Sequence, residues 1–263
     1  MKNKYKIKQI ILIILIIVII GGVISNIIYK KETAVIVTID NNIITENKTE
    51  EEKPEDPNIF NLCYYNSDKT DKGLYDISWL KLNISGDKIN GEFNNIPAEK
   101  DSKVGLFEGT VGPLIQNIMG RKATVWWNSF AEGMNVKEEL AIVFGDGSAT
   151  VGFGEMINRG DGVYVYKNKE NLTYSKSMGQ IDCETLDEKI LVEKYIKENI
   201  KTIATNSPVL GGNWHTISVI ANPIAHSGEV TYEDGHIQSK AKFIYNYEKN
   251  TQVVAITNFK LIK

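Results

Sequence analysis

Twenty-one consecutive residues without a charge, Gln9 to Tyr29, most of them isoleucine, constrain this chain more than any other stretch in it. As a helix rising about 1.5 Å per residue, the run reaches about 30 Å, the thickness of a bilayer's hydrocarbon core. A helix of a soluble protein needs a polar face, and Ile10 to Ile20 has none. Lys2, Lys4, Lys6 and Lys8 precede the run, while Lys30 and Lys31 follow it with Glu32 close behind. The heavier positive flank stays cytoplasmic, which predicts a single-pass membrane helix with its N-terminus inside and everything after Tyr29 extracytoplasmic. The rival is a cleaved signal peptide. Its charged start fits, but the apolar run is long for that role and no small-x-small cleavage site follows it. Lipoprotein processing needs a cysteine directly after the run, and the first is Cys63.

Beyond the anchor the organisation reads in four further parts. Residues 32–59 are a stalk and tether: a short apolar run, Ala34 to Ile39, precedes an acidic stretch with Glu50, Glu51, Glu52 and Glu55 beside Pro54 and Pro57. That stretch has almost nothing to bury and reads as solvated linker. Residues 60–183 change to a period of two. Leu80, Leu82 and Ile84 alternate before a Ser85-Gly86-Asp87 turn into Ile89 to Phe93, and Lys103 to Val111 reads as another strand. Pro113 to Met119 reads as a short helical detour. Ala123 to Phe130 and Val136 to Phe144 follow, the latter alternating through Val136, Glu138, Leu140, Ile142 and Phe144. Gly145-Asp146-Gly147 is a hairpin signal into Ala149 to Phe153; Val163 to Tyr166 alternates again, and Leu172 to Ile181 is placed to end the module. Short strands joined by tight turns, with no helices between them, predict a mainly β fold, an antiparallel meander closed as a barrel or stacked as a sandwich.

Residues 184–206 hold the one clear amphipathic helix. Thr185 and Glu188 have the spacing of a capping box, and Leu186, Ile190, Ile196, Ile200 and Ile203 recur as a single apolar stripe with lysines and glutamates between them. Residues 207–263 read as a small four-stranded β-module around an Asp234-Gly235 turn. Four strands alone barely support a core, so this module either completes the first sheet or packs against the helix.

The two cysteines, Cys63 and Cys183, stand at the start and end of the first β-module. In an exported chain they read as one disulfide closing a loop of over a hundred residues, worth about 4–5 kcal/mol in the chain-entropy model; the alternative is two buried thiols. The net charge of −3 and the scattered lysines argue against nucleic acid as a partner.

No chemistry-bearing motif stands out. His215, His226 and His236 are spaced by eleven and ten residues, which matches no metal-ligand pattern even with Glu233 and Asp234 near them. Glu99 with Asp101, or Asp146 with Glu155, offers carboxylates for acid–base work, but nothing ties either pair to one site. Asp161 between Gly160 and Gly162, with Asn158, offers a calcium-binding turn against the plainer reading of turn chemistry, and Arg159-Gly160-Asp161 is formally an adhesion tripeptide. The glycine-rich Gly145 to Gly154 stretch lacks the Lys-Ser/Thr of a phosphate loop. No catalytic residue, metal set or cofactor is assigned. Trp126 and Trp127 are the candidate binding residues: neighbours on a regular strand face opposite sides, so one of them points outward, where it lines a sugar- or peptide-binding face or is buried under another element.

Pro97 to Gly105 (PAEKDSKVG), Glu108 to Pro113 (EGTVGP), Gly152 to Met156 (GFGEM), Arg159 to Tyr166 (RGDGVYVY), Pro208 to Gly212 (PVLGG) and Tyr232 to Ile237 (YEDGHI) form a set. In these strings, from Cys63 to the end, the chain resembles a group of bacterial membrane-anchored envelope proteins with no assigned activity. The resemblance implies an envelope location and carries over no functional residue. The meander also resembles lipocalin-like small barrels in pattern alone, which implies a fold and no function. Three functions follow as expectations: a non-enzymatic binding module for a partner protein, a glycan or a small ligand; a carboxylate-dependent envelope hydrolase; and a structural cell-surface protein.

Overall fold

The computed structural model describes residues 59–209 and 211–262; the membrane helix, stalk and tether expected over residues 1–58 lie outside them. No helix among the described residues is long and apolar enough to cross a membrane. Ten strands come first: β1 (Ile59–Lys69), β2 (Tyr75–Ser85), β3 (Lys88–Ile96), β4 (Lys103–Ile115), β5 (Gly120–Ala131), β6 (Met134–Gly145), β7 (Ser148–Gly152), β8 (Met156–Asn158), β9 (Val163–Tyr166) and β10 (Ser177–Ile181). Helix α1 (Cys183–Ile203) follows. Then come β11 (His215–Asn222), β12 (Ser227–Glu233), β13 (Gln238–Glu248) and β14 (Val253–Ile262).

The meander closes as a barrel. β1 to β7 pair with their neighbours in sequence, and β10 returns between β7 and β1, so that eight antiparallel strands form a ring. Eight strands leave an interior just wide enough for side chains to fill. They fill it: Leu80, Leu82 and Ile84 from β2, Val125 and Trp127 from β5, and Leu140, Ile142 and Phe144 from β6 meet in one buried cluster. Close approach at the barrel's bends is what the β3 and β4 glycines provide. A Cβ on Gly91 would lie 1.9 Å from the Lys81 carbonyl oxygen, and one on Gly105 2.1 Å from that of Asn128. β8 and β9 form a short flap, with β9 parallel to the Lys137–Glu138 end of β6.

The helical detour expected at Pro113 to Met119 is instead a continuation of β4. A bulge between Val111 and Leu114 takes up Pro113, which has no N–H for the ladder, and the strand runs on to Ile115 before turning at Met119. The capping box is also replaced. Asp182 is the N-cap, its carboxylate accepting from the Thr185 N–H at 2.9 Å and from the Thr185 hydroxyl at 3.1 Å, and these bonds hold its pKa below the usual carboxylate range. Glu188 turns elsewhere, as described below.

The last four strands form a separate antiparallel sheet in the order β11-β12-β13-β14, which packs against α1 instead of joining the barrel. The helix's apolar residues accordingly split between two partners. Leu186 and Ile190 pack with Ile77, Trp79 and Cys63 on the outside of the barrel. Val192, Ile196 and Ile200 pack with Tyr232, Phe243 and Tyr245 of the second sheet. The spacing implies a single stripe, but the helix packs on both sheets and needs two.

Cys63 of β1 and Cys183, the first residue of α1, lie at disulfide distance, with Cα atoms 5.2 Å apart across a sequence separation of 120. The pair binds the start of the helix to the strand that closes the barrel. Replacing both cysteines by serine is expected to lower the unfolding free energy by about 4–5 kcal/mol, the chain-entropy value for a loop of this length. Denaturant unfolding of the two forms measures it; equal stabilities would show that the loop is already constrained without the bond.

Candidate functional site

The residues singled out from the sequence are dispersed. Trp127 is inside the barrel, its indole N–H donating to the Gly105 carbonyl at 3.0 Å and its ring tilted against Phe93 at 5.0 Å. Trp126 is on the outer face, half-buried beneath the Arg159 guanidinium at 5.6 Å. The two therefore make no aromatic strip. Trp79 lies under α1, and Trp214 is buried edge-on against Tyr232. Arg159 also clasps Asp161, whose carboxylate accepts from the Val163 N–H as well, while the Asn158 side chain caps the Gly160 N–H. This turn is closed upon itself, with its carboxylate already committed to a cation. Among the described residues no cluster of three metal-ligating side chains occurs. His226 stands at the β11–β12 turn, whereas His215 and His236 belong to the opposite end of that sheet. Asp234 spends its carboxylate on the backbone N–H groups of Ile237, Val209 and His236, which holds its pKa low and ties Val209 to the β12–β13 turn.

Of the carboxylates, Glu99 pairs with Lys72 and Glu155 with Lys167, both on the surface. Two that the sequence did not single out are buried together. Glu138 and Glu139 border a hollow of about 200 Å³ at the barrel mouth, floored by Trp127 and Tyr166. Each is taken by a lysine at 2.5 Å, Glu138 by Lys103 and Glu139 by Lys169. Burial raises the Tyr166 phenol to about 12, so it remains a donor, to the Gly152 carbonyl at 2.7 Å. The inward position of Glu138 in an otherwise apolar alternation was the one signal for this group.

A wider concavity lies outside the barrel. A cleft of about 740 Å³ opens where the barrel wall, the first half of α1 and the second sheet meet. Tyr65, Tyr75 and Ile181 form the barrel side. Ile220, Phe243 and Ile244 form the sheet side, and Pro223 and Ile224 the lip, with Ile224 92% exposed. The lip is held in place from below. The Asn222 side chain accepts from the Ala225 N–H at 3.2 Å, and His226, at φ 43°, lays its ring edge-on to Tyr245. Tyr245 donates to Glu188 Oε1 at 2.9 Å, and His226 Nδ1 is 3.4 Å from the same oxygen. Glu188 thus fastens the turn and β13 to the helix.

Buried charge underlies the cleft. Lys189 borders it and is 5% exposed; its ammonium group bonds the Ala221 carbonyl, lies 3.2 Å from Glu193 Oε1, and sits 4.6 Å from the centre of the Tyr65 ring. Glu193 accepts from the Ala221 N–H at 3.0 Å. Burial pushes the Glu193 carboxyl upward against the pull of Lys189. Burial, with the charge of Glu193 behind it, also raises the Tyr65 phenol. That hydroxyl is buried with no hydrogen-bond partner, Ser67 lying alongside but outside bonding geometry. Sequence reading missed this group because Lys189 and Glu193, four apart on a helix with one apolar stripe, look like a solvated pair. Only the second sheet buries them.

No protein family matches this chain, and no curated protein or solved structure matches it either.

Removing one member of a buried ion pair strands the other, at about 3–5 kcal/mol. Lys189→Met is expected to destabilise by about that much, and Lys189→Met with Glu193→Gln by clearly less, as a double-mutant cycle in urea would measure. In Lys189→Met the raised Glu193 pKa is no longer opposed. The folded chain then holds that proton to higher pH than the unfolded chain, so stability falls as pH rises above about 4.3. The variant should therefore recover relative to the parent on acidification from pH 7 to pH 5; no recovery would show that Glu193 is not desolvated.

Proposed function

We propose that the chain is a membrane-anchored, extracytoplasmic binding protein, and that its ligand occupies the cleft between the barrel, α1 and the second sheet. The cleft itself carries the reading. Its volume of about 740 Å³ falls within the roughly 300–1,000 Å³ of small-molecule sites, and its walls set aliphatic and aromatic side chains beside a comparable number of polar ones. The barrel interior is filled with side chains, so the lipocalin-like way of holding a ligand is not the one used. The hydrolase alternative has weaker support. Both buried carboxylates at the barrel mouth are already paired to lysines, and that hollow is smaller than the usual ligand site.

The location rests on the uncharged run Gln9 to Tyr29 and its lysine flanks, and on a cysteine pair at bonding distance, which suits an oxidising compartment. Protease added to intact cells should then degrade the region after residue 59; full protection would overturn the orientation.

The cleft is tested with benzophenone as an uncharged photoaffinity probe on the purified full-length chain in lipid nanodiscs. Saturable cross-linking is expected on peptides carrying Ile181, Ile224 or Ile244. Asn258→Trp, an exposed cleft position outside both cores, should abolish it by filling the space. Labelling that does not saturate, or that ignores Asn258→Trp, would sink the proposal.

A further inference from the structure

The charge around the cleft is one-sided. It borders Lys189, Lys242 and Lys260, and its only carboxylate is Glu229. A smaller hollow of about 270 Å³ shares Tyr75, Glu229 and Lys242 with it and adds Lys69 and Lys240. Lys189 is matched by Glu193 beneath it, so the joined surface carries four further lysines against one glutamate, in a chain whose net charge is −3. The sheet register explains the concentration. Glu229 pairs across the ladder with Lys242 and Lys242 with Lys260, which puts all three on one face of the sheet, opposite to that of Val230 and Ala241, and Lys240 recurs two residues along the same strand. Glu229 offsets only part of this: it lies 3.6 Å from Lys242, and Lys260 has no carboxylate partner among the described residues.

A second, independent observation concerns the wall. The Tyr65 hydroxyl is buried beside the cleft with no partner, and a buried polar group without a hydrogen bond is unfavourable unless something arrives to satisfy it. Its raised pKa keeps the proton on, so it stands as a donor. Lysines at the surface, a waiting phenol donor and apolar walls of Ile181, Ile220 and Ile244 complement one kind of molecule.

We propose that the cleft's ligand is a small amphipathic anion, with an apolar body against Ile181, Ile220 and Ile244 and a carboxylate-type head among Lys242, Lys260 and the Tyr65 hydroxyl. This rests on the cleft being the ligand site, and the test separates the two ideas. Three photoaffinity probes with the same body are compared on the full-length chain in nanodiscs: benzophenone, benzophenone-4-carboxylate and 4-(aminomethyl)benzophenone, which is cationic. The carboxylate should half-saturate the cleft peptides at about a tenfold lower concentration than the neutral probe, the worth of two partly exposed charge contacts, and the cation should be the weakest. The advantage should shrink as salt is raised. Lys242→Glu with Lys260→Glu should reverse the order of carboxylate and cation. Lys242→Gln with Lys260→Gln, exposed and nearly isosteric, should bring all three probes together. Tyr65→Phe should weaken the carboxylate more than the neutral probe. Saturable labelling by all three at equal concentration, or a preference for the cation, would leave the cleft as a site and overturn the anion. No saturable labelling by any probe would overturn both.

Discussion

Everything C-terminal to the barrel depends on three residues at its seam. β10 pairs with β1 through Ile181 opposite Cys63, and this closes the ring. Asp182 then leaves the strand and caps the helix, and Cys183, the next residue, lies at bonding distance from Cys63. The same strand position that completes the barrel therefore also fixes where α1 starts and how it lies on the barrel wall. Leu186, one turn in, is buried against Trp79 and Ile77 as a consequence. Had the chain left the barrel elsewhere, Trp79 on the outer face of β2 would have no cover.

The position of the helix decides where the second sheet sits, and with it the nature of the cleft. Each sheet has its own buried cluster, and the two meet through α1 and a small group around Cys63 and Trp79. Wedging a helix between a convex barrel and a twisted sheet leaves space that apolar side chains do not fill, and the cleft is that space. The polar groups there answer the same geometry. A helix with apolar residues facing both sheets has little circumference left for solvent, so Lys189 and Glu193 are carried into the interior. They are tolerated because they bond each other and both backbone groups of Ala221.

Much of the barrel was legible in the sequence because a half-buried strand writes its two faces in alternate residues: Leu80, Leu82 and Ile84 fall inside, as their spacing implies. The choice of barrel over sandwich was not legible. It depends on whether β10 finds β1, a pairing between residues about 120 apart that no local pattern encodes. Pro113 misled in the opposite direction, because a bulge lets a strand pass a residue that ordinarily ends one. Trp126 and Trp127 drew notice as large aromatics, yet one fills the core and the other lies under Arg159. The cleft was invisible for a simpler reason. Its walls come from β1, β2, β10, α1 and all four strands of the second sheet, and none of those segments carries a motif by itself.

An eight-stranded barrel filled with side chains leaves no room inside it for a ligand. The barrel's core is satisfied without the last eighty residues: the interior cluster draws on strands between Tyr64 and Met178 alone. The helix and second sheet are thus not needed to fill it, and they bring in a buried ion pair and a lysine-rich face that hydrophobic packing alone would not select. A polar arrangement of that kind is at best neutral for stability compared with well-packed apolar residues. What it does do is fix the second sheet against the helix through Ala221, beside a cleft that the lysines of β13 and β14 share with the barrel's tyrosines. The arrangement is better accounted for by the surface it presents than by the stability it contributes.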